Sequence, residues 1–202
     1  MSSARDFILG NLAKGRSAVT PVPDYALPGW TYDVPEHFIA KAKLSVADVH
    51  TIAAPDDAPE AILSILAAQG LLPRLHLPKV SPLNALPWHR APGLSVVSEP
   101  PTGADSAFSR ADYGIAETGT LVFFSAPQSA SSWHYRPGRE FVLLPRDSIV
   151  PRLEDIIAHV RSRGGMPATL NLVTGPSRTA DIEQTIELGA HGPRALDILI
   201  VG

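Results

Sequence analysis

With 202 residues, 45% hydrophobic and 18% charged, the chain can bury a sizeable core and reads as globular rather than disordered. A formal net charge of -3 argues against a general nucleic-acid binder, and no apolar run approaches the ~20 residues a membrane helix needs. The absence of cysteine removes disulfides, thiolate nucleophiles and cysteine-held iron–sulfur or zinc sites from this chain.

The first six residues are polar and lack the apolar middle of a signal peptide, so the expected location is the cytoplasm. Residues 3–14 predict a short helix: Ser3 and Asp6 have capping-box spacing, and Phe7, Ile8 and Leu12 share a face. Gly15 ends it. Pro21, Pro23, Pro28 and Pro35 make residues 20–35 an extended arm, whose Tyr25, Trp30 and Tyr32 are expected to pack on the main body or a sister subunit. The expected division is therefore a helix and proline-rich arm over residues 1–40, then an α/β domain over 41–202.

Residues 36–44 predict a second short helix, and 48–53 a strand. Asp57 and Glu60 have the spacing of a capping pair, Pro59 suits a first turn, and Ile62, Leu63, Ile65 and Leu66 give the following helix a broad apolar face. Gly70 stops that helix. A short strand over 73–78 contains His76, residues 78–93 are turn-rich, and 94–97 form another strand. This alternation is that of a layered α/β domain.

Residues 104–112 lead into Gly114-Ile115-Ala116-Glu117-Thr118-Gly119-Thr120, followed by an apolar strand over 121–124. The glycine spacing imitates a phosphate-binding P-loop, but no lysine follows and the glycines precede a strand instead of opening a helix. Residues 125–138 form a polar loop carrying Trp133, His134, Tyr135 and Arg136, which is either a lid or a mobile connection. A strand over 141–144 precedes the strongest helix signal, 151–163, with Leu153, Ile156, Ile157 and Val160 on one face.

A strand over 170–173 leads into Thr174-Gly175-Pro176-Ser177-Arg178-Thr179-Ala180-Asp181-Ile182-Glu183. Gly175 and Pro176 break the strand, Ser177 or Thr179 can cap a helix, Asp181 and Glu183 suit its first turn, and Gly189 can stop it. Hydroxyls, an arginine and free N–H groups at one helix start can hold a small anion. The alternative is that Ser177 and Thr179 only cap, while Arg178 pairs with a nearby acid. Residues 196–201 read as a buried strand for a parallel-sheet interior.

The seven histidines show no metal-ligand spacing, and no Gly-x-Ser-x-Gly elbow is present. Glu117, in an apolar and glycine-rich setting, is either a partly buried nucleophile or base, or a turn residue paired with an arginine. His191 either faces the same pocket or bonds loop backbone.

Taken together, the runs 115–121, 174–183 and 188–193 resemble the lactate utilization protein C family, the LUD-domain proteins, and Ala4-Arg5-Asp6-Phe7-Ile8-Leu9 looks like that family's opening. The resemblance implies a three-layer α/β/α fold akin to the ribose-phosphate isomerase and CoA-transferase group. It also implies a cluster-free subunit, without cofactor of its own, of a complex oxidising L-lactate to pyruvate, with iron–sulfur clusters on partner subunits. The expected small-anion site lies between the Glu117 loop and the Ser177-Arg178-Thr179 helix start. Thr118, Gly119 and Thr120 would form its floor, and Thr174, Gly175 and His191 would stand nearby; no metal is expected. Two rivals remain: a stand-alone transferase or isomerase using Glu117 on a CoA ester or sugar phosphate, and a non-catalytic regulatory or structural subunit.

Overall fold

The computed structural model describes residues 3–14, 26–79, 81–126, 132–182, 185–189 and 191–202, with backbone alone at 132, 179–182 and 185–188. The chain divides between Thr31 and Tyr32. In the smaller unit, α1 (Ala4–Lys14) starts as its spacing predicts. The Asp6 amide donates to Ser3 Oγ at 3.2 Å, and the Ser3 amide donates to Asp6 Oδ2 at 3.2 Å. The expected stop at Gly15, and Tyr25 in the arm, lie outside the described residues. Among the described residues no helix is long and apolar enough to cross a membrane.

The larger unit opens with α2 (Val34–Leu44), capped where the Glu36 amide donates to Asp33 Oδ1 at 3.0 Å. Phe38 and Ala42 form its fully buried side. There follow β1 (Asp48–Ile52), α3 (Ala58–Ala68), β2 (Arg74–His76), β3 (Ser95–Val97) and β4 (Ser106–Arg110). Asp57 does not cap α3 through its side chain. Its Oδ2 instead accepts the Ala54 amide at 3.0 Å, and Arg90 clamps Asp57 at 3.2 Å and Glu60 at 2.5 Å. An arginine from a later turn thus holds the two acids whose spacing predicts a local capping box.

Next come β5 (Tyr113–Ile115), β6 (Thr120–Phe124), the single-turn α4 (Ser132–Tyr135), β7 (Arg139–Pro145), β8 (Ile149–Val150), α5 (Leu153–Ser162), β9 (Leu170–Val173), β10 (Arg178–Ile182), β11 (Thr185–Leu188) and β12 (Ala195–Val201). The main sheet runs β1-β12-β7-β4-β2-β3, and every pair in it is parallel. The fold is a mixed α/β one, a parallel sheet flanked by helices, as the alternation of elements predicts. One sheet face packs Phe108, Phe141, Leu143 and Leu199 against Ile62 and Leu66 of α3. Because side chains alternate along a strand, Ala107, Ser109, Glu140, Val142 and Ile198 take the opposite face.

That opposite face is covered by α2 and by a second sheet of order β8-β5-β6-β9, which the sequence did not suggest as a layer. Ile156 and Val160 of α5 close the far side of this small sheet against Ile115 and Val122. On the α3 face, the fully buried Asp197 bonds His50 Nε2 at 3.0 Å and also pairs with Arg139, which reaches on to Gln69 at the end of α3. A charge in an interior strand of the sheet is tolerated there because both its oxygens are engaged.

Two expectations fail. β4 was not anticipated, since Ser106-Ala107-Phe108-Ser109-Arg110 contains no β-branched residue; pairing on both sides, with β2 and β7, makes it a strand. The helix expected after Thr174 is a β-hairpin, with Arg178 opposite Leu188, Thr179 opposite Glu187 and Ile182 opposite Thr185. The β-branched Thr179, Ile182, Thr185 and Ile186 favour that choice. Ser177 helps close the base of the hairpin with its backbone: its amide donates to Pro193 O at 2.8 Å, and its carbonyl accepts the Gly189 amide at 3.0 Å. Glu183, expected in the helix's first turn, lies outside the described residues.

At the turn entering β4, the Thr102 hydroxyl and amide donate to Asp105 Oδ2 at 2.7 and 2.8 Å. The Thr102 hydroxyl is the leading cause that holds the Asp105 carboxyl below its ordinary pKa, with burial opposing it. A depressed folded-state pKa stabilises above the unfolded value and loses that stabilisation as pH falls through the folded one. Thr102→Val should therefore raise the Asp105 pKa toward the ordinary aspartate value, as read by NMR titration of its carboxyl carbon. An unshifted titration would show that the turn does not tune this acid.

Candidate functional site

The two glycine runs meet, and they meet against the C-terminal end of α2. Gly119 has φ +67°, and a Cβ there would lie 2.3 Å from the Ala42 amide nitrogen. Gly175 has φ +74°, and a Cβ there would lie 2.2 Å from Ser45 O. Both positions thus need glycine twice over, for the left-handed backbone and for the close approach. A chain of hydroxyls ties the runs together: Thr118 Oγ1 to Thr120 Oγ1 at 2.6 Å, and Thr120 Oγ1 to Thr174 Oγ1 at 2.7 Å.

In front of this brace lies a cavity of about 600 Å³. Thr174, Gly175, Ser177 and Arg178 line it, with His191 from the later loop and His134 and Tyr135 from α4. No acid is among its described lining residues, so Arg178 biases it positive. Loop hydroxyls and the guanidinium are the available donors, because the helix start expected here does not exist.

Not every predicted residue reaches this cavity. Thr118, Gly119 and Thr120 stand behind its wall rather than forming its floor, with Thr120 buried. Glu117 is exposed on the turn between β5 and β6, its amide donating to Pro151 O at 3.0 Å, and it does not line the cavity. The partial burial expected of this acid is therefore absent. The side chain of Thr179 lies outside the described residues.

The structure adds a group that sequence reasoning missed. Glu140, fully buried on β7, accepts the Ser109 hydroxyl at 2.6 Å and bonds His134 Nδ1 at 2.7 Å, both through Oε1. With the Glu140 carboxylate as acceptor there, Nδ1 is the donor, which leaves Nε2 as the ring nitrogen still to be satisfied. His134 is 1% exposed and its ring centroid lies 4.0 Å from that of Phe123. His134 Nε2 and Glu140 Oε2, both buried, find no hydrogen-bond partner among the described residues. Beside them the Tyr135 hydroxyl donates to Asn171 Oδ1 at 3.3 Å; burial, then the charge of Glu140, pushes its pKa up. A signal for the relay was present: once the strand begins at Arg139 rather than 141, Glu140 shares parity with the buried Val142 and Leu144.

His134 also borders a second, smaller cavity of about 300 Å³, lined by Ser109, Arg110, Asp112, Trp133 and Arg163. Asp112 Oδ2 accepts the Phe124 amide there at 2.7 Å. Among the described residues no cluster of histidines and acids could hold a metal ion.

The family model described as LUD domain matches residues 35–201. An uncharacterized protein of Neisseria meningitidis is 39% identical over 101 residues, covering 50% of this chain and 43% of that protein. Proteins called lactate utilization protein C show 35% identity in Geobacillus kaustophilus (47% of this chain, 40% of that protein) and 33% in Halalkalibacterium halodurans (56% and 51%). The chain spans about half the length of these curated relatives. Among solved structures, a DUF162 family protein from Deinococcus radiodurans superposes with a TM-score of 0.62 at 22% identity, covering 84% of this chain and 96% of that one.

Proposed function

Since this chain belongs to the LUD domain family, matched over residues 35–201, we propose that it serves lactate utilization by binding a small hydroxy or keto acid beside Arg178. In this reading it is the cluster-free component of an L-lactate-oxidising assembly. With no cysteine to hold a cluster, the iron–sulfur centres belong to partner subunits. The names of the relatives in Geobacillus and Halalkalibacterium support the process.

The cavity around Arg178, with no acid among its described lining residues, is the observation that carries the choice of ligand. A guanidinium fork matches a carboxylate in geometry and charge, and the Thr174 and Ser177 hydroxyls supply further hydrogen bonds. His134 and Tyr135 stand on the same wall, where the hydroxyl of a 2-hydroxy acid needs a partner. The chain's part is to bind and orient the acid; the electrons leave through the partner subunits. A transferase acting through Glu117 gains no support from an exposed carboxylate outside the cavity.

Arg178→Ala should weaken binding of L-lactate or pyruvate at least about tenfold, the loss of one charged hydrogen-bonded contact. Isothermal titration of the purified protein measures this, with the thermal midpoint unchanged because Arg178 is exposed. The same substitution should abolish growth on lactate. Equal affinity in variant and parent would remove the acid from this cavity. Lost binding with normal growth would leave the subunit a non-catalytic, regulatory role.

A further inference from the structure

The smaller cavity is built differently from the one assigned to the hydroxy acid. It opens beyond the carboxyl end of β4, where Phe108, Ser109 and Arg110 follow one another into its wall. Crevices outside the carboxyl ends of parallel strands are where open α/β sheets place their ligands. Arg110 and Arg163 converge on it from different elements, the strand end and the C-terminal cap of α5. Among the described residues neither guanidinium closes a salt bridge, and the one acid in the lining, Asp112, already accepts the Phe124 amide.

Two arginines against one carboxylate leave the chamber with a net positive charge and unused donors. Trp133, Phe108 and Phe124 are also among its lining residues and give it apolar wall. The Glu140 relay is reached from here through both its outer members, since Ser109 and His134 line the chamber. His134 Nε2, 99% buried with its residue and without a partner, is a polar atom that a ligand would satisfy. A volume of about 300 Å³ suits a small ring system with one charged substituent.

We propose that this chamber is a second ligand site, for a molecule with a planar aromatic body and a phosphate or carboxylate group. The anion sits between the Arg110 and Arg163 guanidinium groups, and the ring lies against the Trp133 side. Its occupant and the hydroxy acid are thereby held against one imidazole, since His134 lines both cavities. This assignment does not depend on lactate being the other ligand.

The probe is anilinonaphthalene sulfonate, an aromatic ring system with one anionic group, followed by its fluorescence on the whole chain and displaced by inorganic phosphate. The parent protein should bind it at a single saturable site. The double variant Arg110→Ala/Arg163→Ala should bind at least about tenfold more weakly, two charged contacts being lost, while Arg178→Ala should bind as the parent does. If the double variant unfolds, Arg163→Gln alone is read by the same criterion. Absence of saturable binding, equal affinity without the two arginines, or a matching loss in Arg178→Ala would each overturn the assignment. Because lactate titration reads the other cavity, failure here leaves the hydroxy-acid site standing.

Discussion

Glu140→Ala should destabilise the fold by about 3–5 kcal/mol, the range for removing one member of a buried polar or charged pair. The Ser109 hydroxyl and His134 Nδ1 share a single acceptor oxygen, at 2.6 and 2.7 Å, and both would be stranded where Glu140 and His134 are almost wholly shielded from water. Against a typical total of about 5–15 kcal/mol, that is a large share. Glu140→Gln should cost less, about 1–3 kcal/mol, because its carbonyl can still accept. The amide nitrogen would then replace Oε2, which has no described donor or acceptor beside it. Urea unfolding of the parent and both variants measures the series. A loss below about 1 kcal/mol for the alanine variant would mean that Ser109 and His134 readily find other partners.

Gly175→Ala should cost about 2–5 kcal/mol, combining roughly 1–2 for a left-handed backbone with about 1–3 for forcing atoms into packed space. The added methyl would sit 2.2 Å from Ser45 O, a backbone atom that moves only with the end of α2. Gly119→Ala belongs to the same class, facing the Ala42 amide at 2.3 Å. Gly70→Ala is the natural comparison, because φ is +64° there and nothing lies within 4 Å of the added Cβ. Thermal or urea unfolding should place Gly175→Ala well below Gly70→Ala. Equal losses would show that only the backbone angle matters, and that the seating of the loop on α2 contributes nothing.

These two cases also show what a linear chain discloses and what it withholds. The periodic segments were legible: the faces of α3 and α5, and the apolar run that becomes β12, each carry their own burial pattern. The two glycine-hinged runs do touch, through Thr120 and Thr174, but behind the cavity rather than around it, and their contact with α2 depends on Ala42 and Ser45, residues with no local mark. The hairpin at Arg178 reads as a helix in the linear chain because the cap-like Ser177 and the acids Asp181 and Glu183 resemble a helix start. Its backbone bonds to Pro193 and Gly189 come from beyond the window in which such signals are judged. Glu140 is hidden for a smaller reason: the apolar run begins at Phe141, two residues after the strand does, so an inward acid looks like a flanking one. Ser109 could not be linked to it, because β4 has almost no intrinsic preference to be a strand.

The strand order carries one more consequence. β12 lies between β1 and β7, so residues 195–201 join the first strand to the rest of the parallel sheet although every other strand of it precedes them. Until that segment arrives, the β1 ladder has no neighbour and β7 presents a bare edge to water. Closing so long a loop is entropically costly, and the cost is repaid only when β12 docks between its two neighbours. The interior is in this sense a keystone arch: the strand that locks it comes last in the order of the chain.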